Sequence, residues 1–141
     1  MIVVDASVCV SAILPEDRFN TQSVTWLMHA SATEVLVTPN LALAEVAGAV
    51  AHRTGQAALG VAAARRIEET PSLRVVSLTH QVGVDATRLA AILSLRGADA
   101  VYVALAELLG GSLVTWDQEH LARAAGTITV QTPAARGASL G

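Results

Sequence analysis

Residues 95–121 read LRGADAVYVALAELLGGSLVTWDQEHL. Asp99 opens an apolar run over 100–109 that suits a buried helix, and the pair Gly110-Gly111 stops it. The next residues, SLVT at 112–115, form a short strand, and Asp117 follows at the start of a short helix predicted over 118–125. Helix, strand and helix in so short a span belong to a sheet whose strands are joined by helices. Both carboxylates fall at element ends, where an acid is ordinarily a helix N-cap. Their meaning depends on what the rest of the chain brings to the same place.

Working outward, the same alternation repeats. The β-branched run IVV at 2–4 predicts a buried strand, and Asp5-Ala6-Ser7 leads into a helix that continues over 8–14 until Pro15-Glu16-Asp17 closes it. A helix over 20–32 carries Val24, Leu27 and Met28 on one face, with Trp26 flanking it. A strand over 34–38 turns at Pro39-Asn40 into a helix over 41–53 that Gly55 ends, and a further helix spans 56–69. Pro71 breaks that helix before a strand over 73–78. A helix over 80–96 and an edge strand over 128–130 complete the reading. Strands separated by helices require right-handed parallel crossovers, which predicts a three-layer α/β/α domain over 1–131 around a mostly parallel sheet of four to five strands. The small, polar tail over 132–141 is expected to be mobile.

Composition narrows the function classes. The chain of 141 residues is 52% apolar and 3% aromatic, so its core is aliphatic, and a total aromatic supply of Phe19, Trp26, Tyr102 and Trp116 argues against base stacking. The net charge is −3 and every basic residue is arginine, so no broad positive footprint for nucleic acid is visible. A divalent metal can supply that charge instead. Cys9, the only cysteine, excludes an internal disulfide and a Cys-rich zinc site. The N-terminus MIVVDAS is unlike a secretory signal, and despite a mean hydropathy of +0.51 no apolar run approaches the roughly 20 residues that span a bilayer, so a cytoplasmic protein is expected. The absence of lysine excludes P-loop, receiver-type and haloacid-dehalogenase-type phosphate chemistry, and the last would also need an aspartate where Ser7 stands.

Of the twelve acids, most have local explanations. Glu68 and Glu69 follow Arg65 at helical pairing distance, Asp85 and Glu107 occupy solvated helix positions, and Glu34 enters a strand. Glu45 differs, because Leu41, Ala42, Gly48 and Ala49 surround it along the helix and no local cation compensates it. It either lies on the solvent side of an Ala-rich helix or belongs to a site. Ligands of parallel α/β sheets bind beyond the carboxyl ends of the strands, where connections diverge. Asp5 and Asp117 fall at that edge, and the helices bearing Glu45 and Asp99 reach it. Two like charges about 4 Å apart repel by roughly 1 to 4 kcal/mol at effective dielectrics between those of water and a protein surface, so such a cluster calls for protons or a cation. An all-oxygen set suits Mg²⁺ or Mn²⁺ and phosphodiester hydrolysis. His29, His52, His80 and His120 show no paired spacing and read as structural or surface residues.

Asp5-Ala6-Ser7-Val8 after the first strand, Glu45 within a helix, Asp99 in GADAVYVALA and Asp117 in LVTWD together resemble the PIN-domain nucleases, and most closely the VapC toxins of type II toxin-antitoxin systems. The resemblance runs from Met1 to about Val130. It implies a Mg²⁺- or Mn²⁺-dependent endoribonuclease in which Asp5, Asp99 and Asp117 hold the metal, Glu45 completes the catalytic set and orients the attacking water, and Ser7 and Thr115 hydrogen-bond the acids from behind. It also implies an RNA substrate, a cognate VapB-like antitoxin that blocks the pocket, and a homodimer. Arg65, Arg66, Arg96 and Arg123 are the candidates for contact with RNA. Trp116 places a bulky aromatic directly before Asp117, and Glu119 follows as a possible further ligand. The competing reading is a non-catalytic PIN-like module that keeps its acids for metal binding or protein interaction.

Overall fold

A computed structural model describes residues 1–134. Five strands form one sheet: β1 (Ile2–Val4), β2 (Leu36–Pro39), β3 (Leu73–Val76), β4 (Ser112–Val114) and β5 (Val130–Gln131). Their order is β3-β2-β1-β4-β5 and every pairing is parallel, with Ile2 opposite both Leu36 and Ser112. Among the described residues seven helices connect them: α1 (Ala6–Ile13), α2 (Asn20–Thr33), α3 (Leu41–Thr54), α4 (Ala57–Glu68), α5 (His80–Leu93), α6 (Gly97–Leu108) and α7 (Gln118–Ala124). The architecture is the expected three-layer α/β/α sandwich, and its five-stranded sheet is wholly parallel.

β1 is central and fully buried, which is why its sequence is a continuous β-branched run with no polar alternation. From β1 the chain moves outward to β2 and β3, then crosses back to β4 on the other side. The switch point therefore lies between the carboxyl ends of β1 and β4. Gly110 and Gly111 serve that crossing differently. Gly110 adopts φ +61°, and Gly111 lies so close to the first residue that a Cβ there would stand 2.4 Å from the Met1 carbonyl oxygen.

Several boundaries differ from the sequence expectation. α5 stops at Leu93, before 96, because Ser94 takes a left-handed conformation (φ 54°) and its N–H bonds to Ala90 O. α6 begins at Gly97, so Asp99 sits inside its first turn and is not its N-cap; the cap position is Arg96, which has no side-chain capping bond. In α2 the buried face is Ser23, Trp26 and Ala30, whereas Val24 and Met28 are exposed. The indole of Trp26 and the small neighbours that accommodate it, rather than the aliphatic stripe, turn toward the core. Arg65 makes no ion pair with Glu68 or Glu69 among the described residues. The last strand is two residues long and begins at Val130. Of the tail expected to be mobile, residues 132–134 follow β5 with Pro133 buried, and the remainder lies outside the described residues.

No single helix among the described residues is long and apolar enough to cross a membrane. Cys9 is free and buried in the core, where desolvation first and the nearby Asp5 charge second push its thiol up to about 12.

Candidate active site

Asp5 leaves the end of β1 as the N-cap of α1 and accepts the Ser7 N–H. Its Oδ2 also accepts the hydroxyls of Ser7 at 2.5 Å and Thr115 at 2.9 Å. Among the described residues these three donors all reach Oδ2, while Oδ1 lies 3.9 Å from His120 Nδ1. The two hydroxyls have a second task. Ser7 Oγ accepts the Trp116 N–H at 3.0 Å, and Thr115 Oγ1 accepts the Asp117 N–H at 2.9 Å. The turn after β4 is thereby stapled to Asp5.

Asp117 caps α7, its Oδ1 accepting the N–H groups of Glu119 and His120 at 2.8 and 3.2 Å. Asp5 and Asp117 are thus caps and neighbours of one cavity at once; the ordinary role and the site role coexist. Glu45 reaches the same cavity from α3, where the Tyr102 hydroxyl donates to its Oε1 at 2.5 Å. Asp99 reaches it from α6, with Arg96 Nε 4.0 Å away. The cavity is about 390 Å³ and is lined by Asp5, Glu45, Asp99 and Asp117 together with Ser7, Phe19, Arg96, Trp116 and the paired Asp17 and Arg53. Thr115 is fully buried behind it. Glu119 is exposed and pairs with Arg123 at 3.7 Å. Of the expected RNA contacts, only Arg96 lines this cavity; Arg123 bonds the Ser94 carbonyl oxygen and Arg66 borders an apolar groove elsewhere.

The electrostatics follow from this convergence. Burial raises the Glu45 carboxyl above its ordinary value, the Tyr102 hydrogen bond opposes that rise, and the charges of Asp5 and Asp99 add to it. Asp99 is raised first by burial and then by Asp117 and Asp5, against His120 and Arg96. Arg53, the other cation at the cavity, is committed to Asp17 at 2.6 Å.

Four participants were invisible or undervalued in the sequence. His120 is fully buried and places Nε2 3.0 Å from the Asp99 carbonyl oxygen. A carbonyl only accepts, so Nε2 carries the proton, and Nδ1 has no hydrogen-bond partner among the described residues. Tyr102, three residues after Asp99, turns inward from the same helix to reach Glu45. Arg53 and Asp17 join helix α3 to the loop after α1 at the cavity rim. An i+3 relation to an acid marks Tyr102 and His120 in retrospect, but only the fold supplies their partners. Trp116 also gains an explanation: its indole N–H donates to Ser23 Oγ at 2.8 Å and its ring stacks on Phe19.

Whether the cavity suits a divalent ion can be judged from its donors. Among the described residues no three His, Cys, Asp or Glu side chains draw together into a ready-made cage. Mg²⁺ does not need one, because it keeps several waters and is commonly held by one or two carboxylates. Asp5, Glu45, Asp99 and Asp117 around a cavity with room for water, two of them disfavoured as anions by burial and then by their neighbours, fit a hydrated hard cation.

A parallel α/β/α sheet with an acidic cavity at its switch point is one fold's way of presenting carboxylates to a ligand. The chain belongs to the PIN domain family, whose model matches residues 2–126, and PIN domains are nucleases. No curated protein sequence matches it. Among solved structures it resembles VapC20 from Mycobacterium tuberculosis, a sarcin-ricin loop cleaving toxin, at 19% identity and a TM-score of 0.73, over 92% of this chain and 97% of that one. It also resembles VapBC2 from Rickettsia felis, solved bound to a promoter DNA fragment, at 14% identity and a TM-score of 0.72, over 94% and 98%. A third likeness is to FitAcB from Neisseria gonorrhoeae, at 20% identity and a TM-score of 0.70, over 94% and 98%.

Proposed function

We propose that the chain is the toxin of a type II toxin-antitoxin system, a Mg²⁺- or Mn²⁺-dependent endoribonuclease held in check by a VapB-like antitoxin and acting as a homodimer in the cytoplasm. The observation that carries the reading is the convergence of Asp5, Glu45, Asp99 and Asp117 on one cavity at the sheet's switch point. The toxins and toxin-antitoxin complexes among its structural relatives support the partner.

In this reading Asp5, Asp99 and Asp117 hold the metal, directly or through water. When bound, the ion supplies the positive charge the chain lacks, neutralises the scissile phosphate and acidifies a water. The protein's own groups do the rest. Ser7 and Thr115 occupy Asp5 Oδ2 and so leave Oδ1 for the ligand. Asp117 is held by the cap it makes, and Asp99 by the His120 bond to its own carbonyl. Glu45, with one oxygen engaged by Tyr102, orients the attacking water through the other and accepts its proton, for which a raised carboxyl is better matched than an ordinary one.

The test is hydrolysis of RNA by the antitoxin-free protein with Mg²⁺ or Mn²⁺, comparing the wild type with Asp5→Asn and Asp99→Asn. Cleavage by the wild type, reduced at least about a hundredfold in each variant, is expected. A wild type that cuts no RNA with either metal, or variants that cut equally well, would leave the non-catalytic module as the better account. Growth arrest on expression, relieved by co-expressing a small neighbouring protein, tests the toxin assignment separately.

A further inference from the structure

Among the described residues, two of the four Phe, Trp and Tyr rings are not fully buried, and they meet at the mouth of the acidic cavity. Trp26 and Tyr102 are fully buried, whereas Phe19, from the loop between α1 and α2, and Trp116, from the turn between β4 and α7, are partly exposed and line the cavity with the four carboxylates. Their rings stack 3.9 Å apart and 7° from parallel. The exposed Arg18 lays its guanidinium over the Phe19 ring, 4.4 Å from the centroid. Aromatic rings are few in this chain, but the fold gathers two of the four at one place.

The pair is held in position. Ser11 donates to the Val8 carbonyl oxygen at 2.9 Å, so in its 2.5 Å contact with Ser23 it is the acceptor, and Ser23 in turn accepts the Trp116 indole N–H at 2.8 Å. Both serines are buried. The relay runs indole to Ser23 to Ser11 to backbone, with every donor used. At its other end the Trp116 backbone N–H donates to Ser7, which donates to Asp5. The indole plane and the Asp5 carboxylate therefore share one rigid frame, and a ligand that meets both has little ordering left to impose.

We infer that the Phe19–Trp116 stack is a nucleobase subsite: an unpaired base beside the scissile phosphate stacks on Phe19 where the Arg18 guanidinium now lies, and Arg18 is released toward the adjoining phosphate. The inference rests on the ribonuclease reading of the cavity. A flat cation already accepts this ring face, which shows that the face is open and takes a planar partner. Stacking on an aromatic face needs no positive surface, which suits an acidic chain without lysine. It requires an unstacked base, so the substrate class is single-stranded or loop RNA and not a regular duplex.

The intact protein with Mg²⁺ is mixed with a short oligouridylate carrying one 2-aminopurine, whose emission is recorded before product accumulates, and affinity is read from the anisotropy of a labelled strand. Emission is expected to fall on binding to the wild type and to Phe19→Tyr, and to stay level with Phe19→Leu, whose Kd and KM rise about fivefold or more. A strand annealed to its complement is expected to bind more weakly than the single strand. Phe19→Tyr, which keeps ring and fold, guards against a misfolded leucine variant. Equal quenching and equal affinity in Phe19→Leu, or preference for the duplex, overturns the subsite while RNA hydrolysis by the wild type leaves the nuclease reading standing. Phe19-dependent quenching by a protein that hydrolyses no RNA sustains the subsite and overturns the nuclease reading.

Discussion

The Tyr102 hydroxyl and the Glu45 carboxylate, 57 residues apart in the chain, meet at 2.5 Å and tie α6 to α3 at the wall of the acidic cavity. The bond favours the ionised form of Glu45 against the burial that raises it. Tyr102→Phe keeps the ring and removes only that donor. The expected result is a Mn²⁺ affinity whose pH midpoint moves upward, with a stability loss of about 0.5 to 1.5 kcal/mol. Mn²⁺ titrations across pH, beside thermal melts, measure both; an unmoved midpoint would mean that the bond does not govern Glu45.

The raised carboxyls of Glu45 and Asp99 also set a direction for stability against pH. A group whose folded pKa exceeds its unfolded value contributes stability that is fully present below the unfolded value and lost as pH rises through the folded one. In EDTA, Tm is therefore expected to fall as pH rises from the ordinary carboxylate range toward neutrality. Bound Mg²⁺ offsets the exposed repulsion, so the Tm increase on adding Mg²⁺ is expected to be larger at neutral pH than at mildly acidic pH. Equal increases at the two values, measured by scanning fluorimetry, would count against the shared cluster.

Two glycines separate packing from propensity. A Cβ on Gly60 would stand 2.3 Å from the Ala47 carbonyl oxygen and 3.0 Å from Ala51 Cβ, where α4 crosses α3, while one on Gly83 in α5 meets nothing within 4 Å. Gly60→Ala is expected to destabilise by about 1 to 3 kcal/mol, and Gly83→Ala to stabilise by up to about 1 kcal/mol through helix propensity. Urea unfolding of the two variants checks the contrast. A neutral Gly60→Ala would show that the helix pair separates without cost.

The elements were legible because β-branched runs such as Ile2–Val4 and the stops at Pro71, Gly55 and Gly110 are local signals. Asp5 and Asp117 could be placed for the same reason, since strand ends in a parallel sheet share one edge. What misled were positions where tertiary packing overrules local pattern. The aliphatic stripe of α2 looked like its core face, yet the volume of Trp26 and the serine relay decided otherwise. Ser94 ends α5 in a left-handed conformation that no glycine announced. Tyr102 and His120 carried no readable role because their partners, Glu45 and the Asp99 carbonyl, are set by how α3, α6 and α7 pack, which no periodicity records. Trp116, unexplained in the linear chain, becomes one wall of the cavity once Ser23 and Phe19 are brought to it.

Asp5, Glu45, Asp99 and Asp117 are expected to act as one metal site for RNA hydrolysis. Mn²⁺ occupancy by electron paramagnetic resonance and RNA hydrolysis, followed in the same samples, decide whether they do. Hydrolysis should track Mn²⁺ occupancy in the wild type, and Asp5→Asn and Asp99→Asn should lose both together. Hydrolysis that persists in EDTA, or Mn²⁺ binding that is unchanged in both variants, would contradict it.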